Sequence, residues 1–318
     1  MTDFDSPPGE PIHEAPEIVH VGGVTMPLPG LDSSLLDVGP SRSLFQDAWR
    51  RFRRNKLAMF GLFLVVFLVL VAIFGPLFVQ DPTKLSKTVF REPPTNQHLF
   101  GVDQNGADIL ARVVYGIRLS LFIGIMATLL ETFIGLLVGA LAGWYGRWVD
   151  SISMRFVDIM LGIPYIILAY AFITVFGKGV PAVIFALAFT AWLQTARTVR
   201  AGFIQVKEFE YIEAARALGV SGRRIMLRHI MPNVLQPVVV LMAIGVGSAI
   251  LSEAALSFLG VGVKPPNPSL GLMVADSQSF LTSAPYMFLF PGLAIVLTVL
   301  GFLLVGDGLR DALDVKDN

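Results

Sequence analysis

The chain has 318 residues, 54% of them hydrophobic and 15% charged, with a mean hydropathy of +0.68. That balance excludes an ordinary soluble globule and points to an all-α polytopic membrane protein. Lysine and arginine together equal aspartate and glutamate at 24 each, so total charge identifies no partner, and the lack of cysteine excludes disulfide and thiolate chemistry.

Residues 1–40 are rich in proline, glycine and acids without periodicity, and read as a disordered tail. Residues 41–56 carry the cluster Arg50, Arg51, Arg53, Arg54, Lys56, and read either as a basic amphipathic helix on a membrane surface or as a plain topology signal. Six apolar runs follow that are long enough, or nearly so, to cross a bilayer. They are Leu57–Val79, Leu119–Trp144, Val157–Phe176, Val180–Leu193 (its helix extending to Val199), Val234–Leu259 and Met287–Gly306. The first, within 57–80, lacks a small-residue cleavage site and reads as a retained anchor rather than a signal peptide. Residues 81–117 form an external segment with turn signals at Asp81-Pro82 and Pro93-Pro94. A five-helix core spans 118–311, with a second external segment, Val261–Tyr286, whose apolar-periodic part reads as a short surface helix; 312–318 is the C-terminal end. Glycines inside the runs, such as Gly135, Gly139, Gly143, Gly245 and Gly247, permit close helix packing. Sixteen basic residues fall on the side of the N-terminus against seven on the other, with Arg155 at a boundary, so both termini are expected in the cytoplasm.

The most informative segment is the polar stretch 207–232 between the fourth and fifth spans, also placed in the cytoplasm. Glu208, Glu210 and Glu213 lie where a helix start favours acids, and Arg216 where its end favours a cation. Phe209, Ile212, Ala215 and Leu218 recur at intervals of three as an apolar stripe, and Ala214 and Ala215 permit close approach. Gly219 fits a C-terminal cap. Ser221 caps a second helix carrying Arg223, Arg224 and Arg228, and Pro232 marks the start of the next span. On spacing alone this is either a solvated hairpin or a surface read by another protein.

No nucleotide-binding loop or metal motif occurs, and His13, His20, His98 and His229 are scattered, so a non-catalytic chain is expected. Three acids within apolar runs are candidate pathway groups. Asp158 stands three residues after Arg155, which suits an ion pair or a substrate contact. Glu131 faces either a water-filled path or a neighbouring helix, and Glu253 is expected near an external vestibule. Pro164 and Pro237 can kink their spans. An ion-coupled secondary transporter would need a relay or discontinuous helices around a midplane site, for which these acids are too sparse.

Together these residues resemble the inner-membrane permease subunits of ABC importers, most closely the second permease of the dipeptide/oligopeptide/nickel group. The central match is Glu213-Ala214-Ala215, Gly219 and Pro232, with Leu227-Arg228-His229-Ile230-Met231-Pro232-Asn233 as the ending of that loop signature. Supporting strings are His98–Asp103 with Gly106, Asp108, Arg112, Gly116 and Arg118; Trp192, Ala196-Arg197 and Val199-Arg200; Ser252–Gly260; and Gly306–Asp314. Val102, Ala107, Leu270, Leu303 and Val315 depart from the residues usual in the family. The resemblance implies the six-helix importer permease fold in a bacterial inner membrane, with a coupling helix in which Glu210, Tyr211, Glu213, Ala214, Ala215, Arg216, Gly219, Arg223, Arg224 and Pro232 meet an ATPase. It further implies a homologous permease forming a heterodimer, two cytoplasmic ATPase subunits that hold ATP and magnesium, and an external peptide-binding protein. No cofactor or nucleic acid is implied for this chain. Peptides are the expected solute, with nickel chelates the alternative.

Overall fold

The computed structural model describes residues 18–21, 24–27 and 44–313. Most of the expected disordered tail therefore lies outside the described residues. Within it, β1 (Ile18–Val21) and β2 (Val24–Pro27) pair antiparallel, with Val21 opposite Val24.

The rest is helical. α1 (Leu44–Arg54) is followed by α2 (Lys56–Phe74), whose N-cap Asn55 accepts the N–H groups of Leu57 and Ala58. Phe52 of α1 is buried with Ala58 and Ala312, which fixes this basic helix against the last span. α3 (Ile109–Tyr145) starts ten residues before the apolar run because Asp108 caps it through the Ala111 N–H at 2.9 Å. α4 (Arg147–Leu161) and α5 (Tyr165–Phe176) were expected as one span, Val157–Phe176. They form instead a pair bent by 94°. The break falls at Gly162-Ile163-Pro164, where the proline lacks an N–H and its ring disfavours helical backbone at Ile163.

α6 (Val180–Lys207) runs past the expected end at Val199 and takes Lys207 into its last turn. α7 (Glu210–Ala217) and α8 (Gly222–Arg224) make the loop. A π-helical turn, Ile225–Ile230, joins α8 to α9 (Met231–Phe258), so one continuous helix runs from Gly222 to Phe258. Pro232 was expected to start the span but lies inside this helix. Its missing N–H leaves the preceding turn free to widen, and Met231 N–H reaches the Met226 carbonyl five residues back. α10 (Leu270–Ser277) is the short surface helix expected beyond the fifth span, and α11 (Tyr286–Leu313) is the last span. Among the described residues five helices are long and apolar enough to cross a membrane, or six with the bent pair as one.

Small residues set the packing. At Gly135, Gly139 and Gly143 of α3 a Cβ would come within 2.6 Å of Thr195 Cβ, 2.5 Å of the Ala196 carbonyl and 2.5 Å of Phe203 Cβ. α3 and α6 thus touch backbone to backbone along two turns, with glycines every four residues on one stripe. α2 and α11 meet similarly at Gly61 and Gly301. The ends of α3 and α6, α7 and the end of α11 share one face of the bundle, because Lys207 bonds to the end of α3 and Thr198 lines one cavity with Arg310 and Leu313. α10 and the start of α3 lie on the opposite face.

Candidate functional site

The loop between α6 and α9 is held by a short set of anchors. Lys207 Nζ donates to the carbonyls of Gly143 at 3.2 Å and Trp144 at 2.9 Å, and lies 5.5 Å from the centre of the Trp144 ring. An ammonium there caps the last carbonyls of α3, the end of a helix that favours positive charge. Glu208, expected at a helix start, is instead the C-cap of α6. The chain then reverses through Phe209, whose carbonyl accepts the Ile212 N–H, and α7 begins at Glu210.

Ile212 is wholly buried in a cluster with Val199, Phe203 and Val206 of α6, Ala140 of α3 and Ile225, Ile230, Val234 and Val238 beyond the loop. Ala215 packs partly against the same cluster. The other two members of the expected stripe do not. Phe209 is exposed and Leu218 is 83% exposed. A spacing of three advances about 300° around a helix, so four such residues fan over about 180° and cannot share one face. The outer face therefore carries Glu210, Tyr211, Glu213, Ala214, Ala217 and Leu218, all exposed. Phe209 and Tyr211 rings lie 5.8 Å apart, and Tyr211 Oη accepts from Asn233 Nδ2 at 3.3 Å. Exposed apolar side chains gathered on one short helix are the usual mark of a surface that meets another body.

Gly219 ends α7 as the sequence implies. Its φ is +78°, its N–H bonds to the Arg216 carbonyl at 2.9 Å, and the Val220 N–H returns to the Ala215 carbonyl at 3.1 Å. This double bond pattern turns the chain sharply and puts Val220 against the buried cluster. Ser221 is the N-cap of α8, though its side chain makes no capping bond. Arg216, Arg223 and Arg224 are exposed, and Arg216 also lines a cavity of about 400 Å³ with Trp144, Tyr145 and Lys207.

The intramembrane acids separate. Asp158 is exposed and pairs with Arg197 of α6, not with Arg155. The neighbouring pair, Asp150 with Arg200, is more buried and two-pronged, with Arg200 Nη2 donating to Asp150 Oδ2 at 2.7 Å. Asp150 gave no sequence signal, since it lies in α4 and its partner 50 residues on. Glu131 is buried at the contact of α3 with α9. A Cβ on Gly245 would come 2.9 Å from its Oε1, and the hydroxyl of Thr128, one turn back, is unpartnered. Glu253 does not face a vestibule, being wholly buried and hydrogen-bonded to three serines. Of the candidate acids and loop residues within the described residues, the loop set forms one continuous exposed surface.

On the face opposite the loop, the string from His98 to Arg112 is a folded unit. Asp103 pairs with Arg112 and accepts the N–H groups of Asn105 and Ala107 at 2.8 Å each; His98 Nδ1 meets Asp108 Oδ2 at 2.8 Å. Phe100 stacks on Phe290 of α11 with ring centres 4.0 Å apart.

Comparison with known proteins agrees with this layout. Residues 135–316 match the family described as binding-protein-dependent transport system inner membrane component, and residues 43–94 match the N-terminal transmembrane domain of oligopeptide transport permease C. The chain is 42% identical to a dipeptide transport system permease protein of Alkalihalophilus pseudofirmus, covering 86% of this chain and 90% of the relative. It is 41% identical to an oligopeptide transport system permease protein of Bacillus subtilis (87% and 91% covered), and 42% identical to a glutathione transport system permease protein of Escherichia coli (86% and 91%). Among solved structures, an inward-facing methionine ABC transporter shares the fold with a TM-score of 0.51 at 24% identity, covering 63% of this chain and 95% of that one.

Proposed function

This chain belongs to the family of binding-protein-dependent transport system inner membrane components, and from that premise we propose that it is the permease subunit of an ATP-driven peptide importer. It is a multi-pass helical protein of the inner membrane whose family works with ATPase and substrate-binding subunits. In this reading both termini and α7 are cytoplasmic, as the basic residues favour. A homologous permease completes the pore, two ATPase subunits bind and hydrolyse ATP with magnesium, and an external protein delivers the peptide. The dipeptide and oligopeptide permeases among its relatives support that solute class.

The observation that carries the coupling role is the two-sidedness of α7. Its inner side holds one fully buried residue, Ile212, in a cluster that joins α3, α6 and α9, while its outer side is exposed along its length. A push on that outer side reaches three spans through the packing of Ile212 and, in part, Ala215. Glu210, Tyr211, Glu213 and Ala214 would meet the ATPase directly. Arg223, Arg224 and Gly219 would set the flank and angle, Ala215 would support the loop from within, and Arg216 and Pro232 would border it. Ala214→Trp is the test, because the site is exposed and the change spares this chain's own packing. The full complex carrying it is expected to insert normally, to lose at least tenfold in peptide uptake and to hold its ATPase weakly. Normal uptake and normal ATPase retention would refute the docking assignment. Glu131 is the remaining pathway candidate. Glu131→Gln is expected to lower uptake with unchanged thermal stability; unchanged uptake would remove it from the path.

A further inference from the structure

Glu253 lies at the end of α9 remote from α7 and is wholly buried. Its carboxyl accepts hydroxyls from three segments: Ser120 of α3 at 3.0 Å, Ser257 one turn on at 2.7 Å, and Ser269, the N-cap of α10, at 2.9 Å. Two of these serines pass the link onward. Ser257 Oγ accepts the Val263 N–H at 3.2 Å, and Ser269 Oγ accepts the Leu272 N–H at 3.5 Å. Each of those hydroxyls thus accepts a backbone N–H and donates its own O–H to Glu253. The backbones also touch: Gly271 of α10 sits so close to the Ala254 backbone that a Cβ would not fit, and Leu270 packs on Gly116 of α3.

The same helix begins at the other face. From Gly222 to Phe258 it is unbroken over 37 residues, about 55 Å at 1.5 Å per residue, and it starts three residues after Gly219. At its far end, α10 and the segment before it, through Pro265, Pro266, Asn267 and Leu272, wall an outward cavity of about 460 Å³. Gln104 and Arg112 line the other side, and Gln104 Oε1 is buried there without a partner.

We propose that Glu253 is a positioning residue that fastens α10 to the outer end of α9, so that motion entering at α7 is delivered to the outer surface. This rests on the importer reading, in which that surface meets the loaded binding protein. The role needs acceptor geometry rather than charge. Ser257 and Ser269 both donate to Oε1, so a glutamine keeps those two bonds and turns its amide toward Ser120 Oγ. A leucine keeps the volume and loses all three.

The test is the ratio of ATPase activity with peptide-loaded binding protein to basal activity, in the reconstituted complex. Glu253→Gln should stay within about twofold of the wild-type ratio. Glu253→Leu and the milder Ser269→Ala should lower it about fivefold or more, the range of a typical coupling between sites, with basal activity kept. Ser269→Ala leaves Glu253 and the span in place, so it decides the matter if the leucine variant does not assemble. An unchanged ratio in Ser269→Ala overturns the proposal, as does a fall in Glu253→Gln equal to that in Glu253→Leu. A wild-type complex that the binding protein fails to stimulate would refute the importer reading instead.

Discussion

Ile212→Ala isolates the anchor of α7. Ile212 is the one residue of this eight-residue helix that is fully buried, and its neighbours Phe203, Ile225 and Ile230 are themselves buried and held by longer helices. Cutting isoleucine to alanine in such a site removes transfer free energy and leaves a cavity that rigid neighbours fill poorly, a loss of about 2–5 kcal/mol. The rest of α7 is tied by its caps, by the partial contact of Ala215 and by the Tyr211–Asn233 hydrogen bond, all weaker than a buried isoleucine, so the loss falls on the docking of the loop rather than on the bundle. At about 3 kcal/mol the detached state of the loop gains about 150-fold, since each 1.4 kcal/mol is tenfold. Hydrogen exchange by mass spectrometry in lipid nanodiscs reads this directly. Amides of 212–218 should exchange about a hundredfold faster, while those of α3 and α6 stay protected. Unchanged exchange in α7, or equal acceleration across α3 and α6, would refute the anchoring argument.

Gly219→Ala forces an L side chain to φ +78° in otherwise open space, so the cost is backbone strain of about 1 kcal/mol, and Gly219→Asn should cost less. Thermal unfolding ranks the pair, and equal midpoints would contradict it. Arg200→Ala should destabilise more than Arg197→Ala. The first leaves Asp150 partly buried without its two bonds, about 1–3 kcal/mol, whereas the exposed Asp158–Arg197 pair is worth under about 1 kcal/mol. Thermal melts of the two variants in the same detergent test this order. Gly139→Val should block the approach of α3 to α6, seen as loss of monodisperse protein on size exclusion, and Gly292→Ala, whose added Cβ would meet only the Phe288 ring at 3.9 Å, should not.

The spans were legible because composition and run length report directly on the bilayer. What escaped was set by contacts distant in sequence. The apolar run Val157–Phe176 gave no hint of a 94° bend beyond Pro164, because hydropathy averages over a break of three residues. Asp158 was matched to the nearest cation in sequence, Arg155, while the structure supplies Arg197 from another helix. Glu253 was placed near an external vestibule because its three serine partners, scattered from Ser120 to Ser269, give no local signal. The loop was read in outline through Gly219, whose positive φ is a local property. Its inward and outward faces were not, since only the position of Phe203 and Ile230 decides that Ile212 turns in and Leu218 out.

The central claim is that the outer side of α7 seats an ATPase subunit. The chain has no cysteine, so single cysteines report without background. Cross-linking from Ala214→Cys and Glu210→Cys, in the assembled complex, to cysteines placed on the ATPase surface is the direct measurement. Both α7 positions should join to the ATPase, and a cysteine at Asn267, on the outer face, should not. Failure of both α7 positions to cross-link in a complex that hydrolyses ATP, or cross-linking from Asn267, would contradict the account.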